Sequence, residues 1–269
     1  MKTSTTVIMS TVIGIGLLGT LVTLTRSLKL GVQLQAAAAP TSYTLYTEEY
    51  IGLYGGSQRL SDRITSALKT DGSTAQKHEY FDAAGKPLRS RVSIQAVGGL
   101  MIEANPDISA FTSMKIPSLD ARRVGAALNP DAECIVQSNG TKQGTVVGRE
   151  AVMGYDSFKV VTDDSTAAHM VEWRAPGLKC ATIQRLAEFK NADGTIHDIS
   201  KIVPVRVAMN DVDPALFVIP ADYELLSPLD NARRRYKRQF GTDEMPSRFV
   251  DQEQQAEAAY AKFKFEPRQ

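Results

Sequence analysis

The sequence is poor in the residues that most directly announce chemistry. Its 269 positions hold two cysteines, three histidines and one tryptophan. There is no CxxC, and His78, His169 and His197 have no spacing that marks a zinc cluster, so a structural metal site is excluded. The glycines at 144, 148 and 154 read GxxxGxxxxxG, which is not the GxGxxG of dinucleotide binding. GxSxG is absent too, which removes the usual serine-hydrolase elbow. No cofactor is implied. No cysteine lies near the N-terminus, so a lipoprotein anchor is excluded. Charge of one sign is also missing: the formal net charge is +1. No broad cationic face is available for a phosphate backbone, and nucleic acid is not an expected partner.

What is present begins with an apolar run. Val7–Leu24 contains no charge and follows Lys2, the layout of a signal peptide or a signal anchor. As helix it measures about 27 Å, near the lower limit for spanning a bilayer. Arg26 and Lys29 follow it, and QAAAAP at Gln35–Pro40 offers small residues for cleavage near Ala36 or Ala37. The charges flanking the run do not fix its orientation. Residues 1–30 therefore read as signal peptide or anchor, with a buried helix as the remaining alternative. Residues 31–58 read as a tether. The expected location is outside the cytosol: periplasmic, or anchored in the inner membrane and facing the periplasm.

In an oxidising compartment Cys134 and Cys180 can pair. Free buried thiols are the alternative, since a metal lacks further ligands. Apolar residues at 43% and charged residues at 23% suit a globular body.

That body reads as strands and short turns from 59 to 228. Ser90, Val92, Ile94 and Ala96 alternate with Arg89, Arg91, Ser93 and Gln95, the period of a half-buried strand. Further strands are expected at Arg63–Leu68, Lys77–Phe81, Leu100–Ala104, Ile108–Lys115, Cys134–Val136, Tyr155–Val161, Met170–Ala175 and Cys180–Phe189. Asp71-Gly72, Asp82–Lys86, Gly98-Gly99 and Asn191–Gly194 read as turns, and links this short require antiparallel neighbours. Ser118–Glu133 reads as a short helix or an ordered loop. Val203, Val205 and Val207 form a strand around Pro204, which has no N–H and so marks an edge or a bulge. Asp213-Pro214 suits a capped helical turn. A last short strand is expected at Tyr223–Leu225. Residues 229–269 read as a charged helical tail with a period at Ala256, Ala259, Tyr260 and Phe263.

Three segments carry a family resemblance. WRAPGLKC (Trp173–Cys180) resembles a W-x-A-P-x-L-x-C strand–turn–strand of exported bacterial proteins of unknown function. GREAVMGY (Gly148–Tyr155) and DPALFVIPADY (Asp213–Tyr223) resemble two further segments of the same proteins, in the same order. Those proteins are similar to the class with the lipoprotein-carrier fold: a strongly curved antiparallel sheet, or half barrel, with helices on its concave side. The resemblance spans about residues 60–228. It implies a mainly β domain that holds acyl chains in an apolar hollow, and structural roles for Trp173, Pro176, Cys180, Phe217, Pro220 and Tyr223.

Candidate sites follow from that expectation. Trp173 alternates with Val171 and Ala175, which makes it core; on a curved sheet it would instead line an apolar cavity with Phe158, Ile183 and Phe217. The run RRRYKR places Arg233, Arg234, Arg235, Lys237 and Arg238 together. It is either a solvated helix face or a contact for anionic lipid headgroups or an envelope protein. Catalytic arrangements can be drawn at His169 with Asp163, Asp164 and Ser165, at Glu103 with Asp107, at Glu172 with Glu188, and at His197 with Asp198. Each reads more simply as loop or outer-face polarity. The leading expectation is a non-enzymatic binding domain for a lipid-like or apolar ligand. The alternatives are a membrane-tethered interaction domain of the cell envelope and, last, a hydrolase.

Overall fold

A computed structural model describes residues 42–116, 134, 144–164 and 168–263. These fall within one compact unit, Pro40–Gln269. The expected N-terminal segment, the Ser118–Glu133 helix or loop, Ser165 and the strand residues after Cys134 lie outside the described residues. Among the described residues, no helix is long and apolar enough to cross a membrane.

The described chain is mainly β. The first six strands are β1 (Tyr43–Leu53), β2 (Gln58–Leu68), β3 (Thr74–Phe81), β4 (Pro87–Gln95), β5 (Leu100–Asn105) and β6 (Ala110–Lys115). They form one meander through tight turns. The next five are β7 (Thr145–Val152), β8 (Tyr155–Asp164), β9 (Ala168–Ala175), β10 (Ala181–Lys190) and β11 (Ile196–Met209). They form a second meander that runs inward from the opposite edge. The two meet where β11 pairs with β1, from Tyr43↔Met209 to Leu53↔Asp198. The result is an open, curved sheet ordered β12-β6-β5-β4-β3-β2-β1-β11-β10-β9-β8-β7, where β12 is Glu224–Leu225.

Three expectations need correction. Tyr43–Leu53, which falls within the expected tether, is β1, a strand in the middle of the sheet. It shows no clean alternation because neighbours flank it on both sides and both of its faces are covered: Tyr43, Thr44, Leu45 and Thr47 are all buried. The Thr44 hydroxyl satisfies itself on the Asp211 carbonyl at 2.7 Å. The sheet is also mixed, not wholly antiparallel. β12 reaches β6 through a long return instead of a hairpin, and pairs in parallel, Glu224↔Ala110 and Leu225↔Phe111. Finally, Pro106–Ile108 forms a single 3-10 turn, so β6 starts at Ala110 and not at Ile108.

Pro204 behaves as its chemistry requires. The β1–β11 register shifts between Tyr46 and Thr47, which face Arg206 and Pro204. On the other side, β10 pairs with β11 only as far as Ile202. The missing N–H therefore falls at a bulge and beyond the end of the second ladder. Past Ile202 the sheet forks, because Ala181–Gln184 of β10 pair only with β9. The main apolar cluster draws side chains from both prongs: Tyr43, Leu45 and Val207 from one, Val171, Trp173 and Ile183 from the other.

After Pro228 come two helices, α1 (Pro228–Phe240) and α2 (Ser247–Phe263). The Ser227 hydroxyl accepts from the Asp230 N–H, Pro228 opens the helix, and Gly241 closes it at φ 75° with its N–H on the Lys237 carbonyl. Asn231 and Ala232 are buried, and the Asn105 side-chain amide donates to Asn231 Oδ1 at 3.1 Å. That buried amide pair, with no apolar substitute, fixes where α1 crosses the β5–β6 end of the sheet.

Candidate functional site

The four residues that the alternative reading set around one cavity fall in separate packing groups. Trp173 and Ile183 belong to the main cluster, where Trp173 keeps 8% of its surface and Ile183 none. Phe158 packs in a second cluster with Val160 and Cys134. Phe217 sits half-buried on the 3-10 turn Pro214–Phe217, with Lys69 Nζ 4.1 Å from its ring centroid. The Asp213 carboxylate caps that turn by accepting from the Ala215 N–H at 2.9 Å.

Trp173 is braced, not open. Its indole N–H donates to Glu150 Oε2 at 2.8 Å, and Lys159 Nζ donates to Glu150 Oε1 at 2.8 Å while standing 5.2 Å from the indole. Those two donors, the ammonium first, hold the Glu150 carboxyl below its ordinary range. The WRAPGLKC stretch is thus a sheet join: β9, the 3-10 turn Pro176–Leu178, then β10. Leu178 inserts fully under the turn. Cys180 is disulfide-bonded to Cys134 with Cα atoms 4.9 Å apart. The Cys134 carbonyl accepts from Arg174 Nη1 at 2.8 Å, and the rest of that guanidinium is held by Glu172.

Among the described residues, neither Glu172 with Glu188 nor Glu103 with Asp107 forms a pair. Glu172 is committed to Arg174. It pairs in register with Arg185, so Glu188, three positions along, points to the opposite face. Glu103 approaches Arg91 at 3.9 Å, while Asp107 accepts from the Ser90 N–H at 2.7 Å. His197 and Asp198 are neighbours at 3.4 Å on the surface of β11. His169 stands opposite Asp163 in the β8–β9 ladder. Among the described residues, no cluster of His, Cys, Asp and Glu could hold a metal ion.

One polar pair escaped the sequence reading. Asp62 is 2% exposed, and its Oδ2 lies 2.5 Å from His78 Nδ1 while its Oδ1 accepts from the Glu79 N–H at 3.1 Å. His78 stacks on Tyr80 with centroids 5.6 Å apart. Burial raises the Tyr80 phenol, and the Asp62 charge adds to this, against Arg91 and Arg89. The only signal was hairpin geometry: β2–β3 pairs Asp62 with Tyr80 and Ile64 with His78, so all four share a face.

The basic run on α1 divides by direction. Arg233 lies 3.9 Å from Asp230, Arg234 bonds Glu224 at 2.7 Å and Lys237 bonds Asp243 at 2.9 Å. Arg235 and Arg238 turn toward β4.

The described residues also leave an open groove at the tips of the β1–β2 and β10–β11 hairpins. Its volume is about 820 Å³. Ile51, Leu53, Phe189 and Ile199 supply apolar lining, Arg59 and Lys190 supply positive charge, and Asp198 supplies one carboxylate. Leu53 is 67% exposed. At Gly52 a Cβ would press on the Ser57 carbonyl, so only glycine keeps this hairpin as close as it is.

No protein-family model matches the chain, and no curated protein matches it. Solved structures do. A DUF1329 family protein from Desulfovibrio piger aligns over 71% of this chain and 95% of its own, at 10% identity and a TM-score of 0.31. A LolA superfamily protein from Nitrosomonas europaea aligns over 66% and 90%, at 10% identity and 0.27. The MucA/MucB complex of Pseudomonas aeruginosa aligns over 70% of this chain and 59% of the matched chain, at 9% identity and 0.36. Likeness of that degree carries no function from those proteins to this one.

Proposed function

We propose that the protein is a non-catalytic binding domain that takes the apolar part of a lipid-like ligand in the groove at the β1–β2 and β10–β11 tips, and that it works outside the cytosol. The groove carries this reading: it is large, it is open, and it exposes the apolar side chains of Leu53 and Phe189 to water together in its lining. The mechanism is removal of apolar surface from water, worth roughly 1.5–3 kcal/mol for one leucine fully covered. Arg59 and Lys190, two cations against the one carboxylate of Asp198 in the lining, would favour an anionic polar end. The uncharged N-terminal run and the disulfide support export.

The test is titration of the full chain with a fluorescent fatty-acid analogue. Saturable binding is expected, and Leu53→Asp should weaken it about tenfold or more, since an exposed position changes without disturbing the core. Equal binding by Leu53→Asp, or no saturable binding by the unaltered chain, refutes the groove.

A second reading has its own observation. β7 is an end strand among the described residues, and its Val147 is 56% exposed. A strand edge with no strand partner among the described residues, bearing an exposed valine, is a template for strand addition by an envelope protein.

A further inference from the structure

A second cavity lies where α1 passes over β4 and the β5–β6 turn. It holds about 250 Å³ and shares no lining residue with the groove. Four guanidinium groups border it: Arg89 and Arg91 from β4, Arg235 and Arg238 from α1. The sequence keeps these pairs more than a hundred residues apart. Strand period places the first two on one face of β4, and helical spacing places the other two on one face of α1. The buried Asn105–Asn231 amide pair holds the two surfaces together beside the cavity.

The charge is not balanced from within. Asp107 is the one carboxylate among the lining residues, and it is already engaged by the Ser90 N–H. Glu103 stands 3.9 Å from Arg91 Nε, beyond hydrogen bonding. The Nε donors of Arg91 and Arg235 are buried and meet no acceptor among the described residues. Buried donors without acceptors are costly, and more so when charged. Arg89 stacks its guanidinium 4.6 Å from the Tyr80 ring centroid, which pre-orients it at the wall.

We propose that this cavity binds a phosphate group. Four arginines against one carboxylate call for a ligand with at least two negative charges, which a phosphate monoester supplies and a single carboxylate does not. Guanidinium forks match phosphate oxygens two at a time. The volume is below that of sites for drug-sized ligands and suits a phosphate or a small headgroup. Leu88, exposed, and Ile108 border the same space and would lie against the apolar portion of a lipid. The phosphate therefore comes either as a free ion or as the head of a phospholipid, and the proposal stands apart from the fatty-acid groove.

Calorimetric titration of the full chain with inorganic phosphate, with monomeric short-chain phosphatidic acid and with short-chain phosphatidylcholine tests it. Arg91→Gln/Arg235→Gln should weaken binding at least tenfold. Arg233→Gln/Lys237→Gln, on the same helix but outside the cavity, should leave it unchanged. Should the first pair fail to fold, Arg89→Gln/Arg238→Gln replaces it, because both positions are exposed. Binding of inorganic phosphate that the cavity variants lose assigns a free anion. Binding of phosphatidic acid alone, lost in the same way, assigns a headgroup. Binding of neither, or equal losses in the cavity and control pairs, overturns the site.

Discussion

Replacing Cys134 and Cys180 together by alanine should destabilise the domain by about 4 kcal/mol. The cross-link spans a sequence separation of 46, and loop closure in the unfolded chain accounts for about that much. The native contacts point the same way. Cys134 is 1% exposed and covers Phe158 and Val160. Its carbonyl is the acceptor for Arg174 Nη1, and Arg174 is itself buried. If the Cys134 segment leaves, a buried guanidinium loses an acceptor and two core side chains lose their lid. Alanine is the right replacement because serine would place a hydroxyl in a site closed to water. The assay is urea unfolding of the full chain followed by the emission of Trp173, the only tryptophan. With a slope of ~2 kcal/mol per molar urea, the midpoint should fall by ~2 M. An unchanged slope with a midpoint moved by less than ~0.5 M would refute the reasoning, for it would mean that the closed loop constrains little and that Arg174 does not depend on Cys134.

Three further outcomes are expected. The Glu150 carboxyl is held below its ordinary value of 4.5 by Lys159 and then Trp173, so its contribution is whole above that value and is lost as pH falls through the lower folded value. Trp173 emission should therefore change in acid, and Glu150→Gln should abolish that step; an identical titration in the variant contradicts the brace. Burial lifts the Tyr43 phenol to about 12 from 10.0, so its neutral form favours the folded state. About 3 kcal/mol should then be lost as pH rises from the unfolded value to the folded one. Alkaline unfolding monitored by tyrosinate absorbance should show it, and Tyr43→Phe should flatten the dependence. Met153 and Gly154 link β7 to β8 with φ of 51° and 81°, the two-residue turn that favours Asn-Gly. Met153→Asn should stabilise by about 0.5–1 kcal/mol in the same urea assay, and a loss of stability contradicts the turn assignment.

The parts of the fold that could be read in the sequence are those written in local chemistry. Asp82–Lys86, Gly98-Gly99 and Asn191–Gly194 connect neighbouring strands as expected, because turn residues report on their own backbone. The bulge at Pro204 was legible for the same reason: a missing N–H restricts pairing whatever surrounds it. β1 was not legible. Its pattern is set by what lies on either side, β2 from the next hairpin and β11 from some 150 residues later, and its buried threonines look like loop polarity until those partners are known. The β12–β6 pairing fails to show for a related reason: two residues carry no period, and their parallel register depends on where the 3-10 turn Pro214–Phe217 delivers the chain.

The candidate sites divide along the same line. The sequence left Cys134 and Cys180 open between a disulfide and free thiols, and the structure shows the disulfide. Alternation put Trp173 in the core and left cavity lining as the alternative, because one-dimensional alternation says which side of a strand a residue occupies, and not whether that side closes. Here it closes: Leu178, Ile183 and Val171 fill the space beside the indole. The charged sites needed the third dimension altogether. RRRYKR reads as one basic patch, yet α1 spends Arg233, Arg234 and Lys237 on nearby acids and directs Arg235 and Arg238 toward β4. Arg89 and Arg91 read as the outer face of a half-buried strand; Arg89 stays exposed there, while the single Nε donors of Arg91 and Arg235 are closed off from water. An exposed arginine needs no partner because water serves as one. Burial of one Nε removes its water and leaves the need for an acceptor, which is why Arg91 and Arg235, ordinary in the sequence, become demanding in the fold.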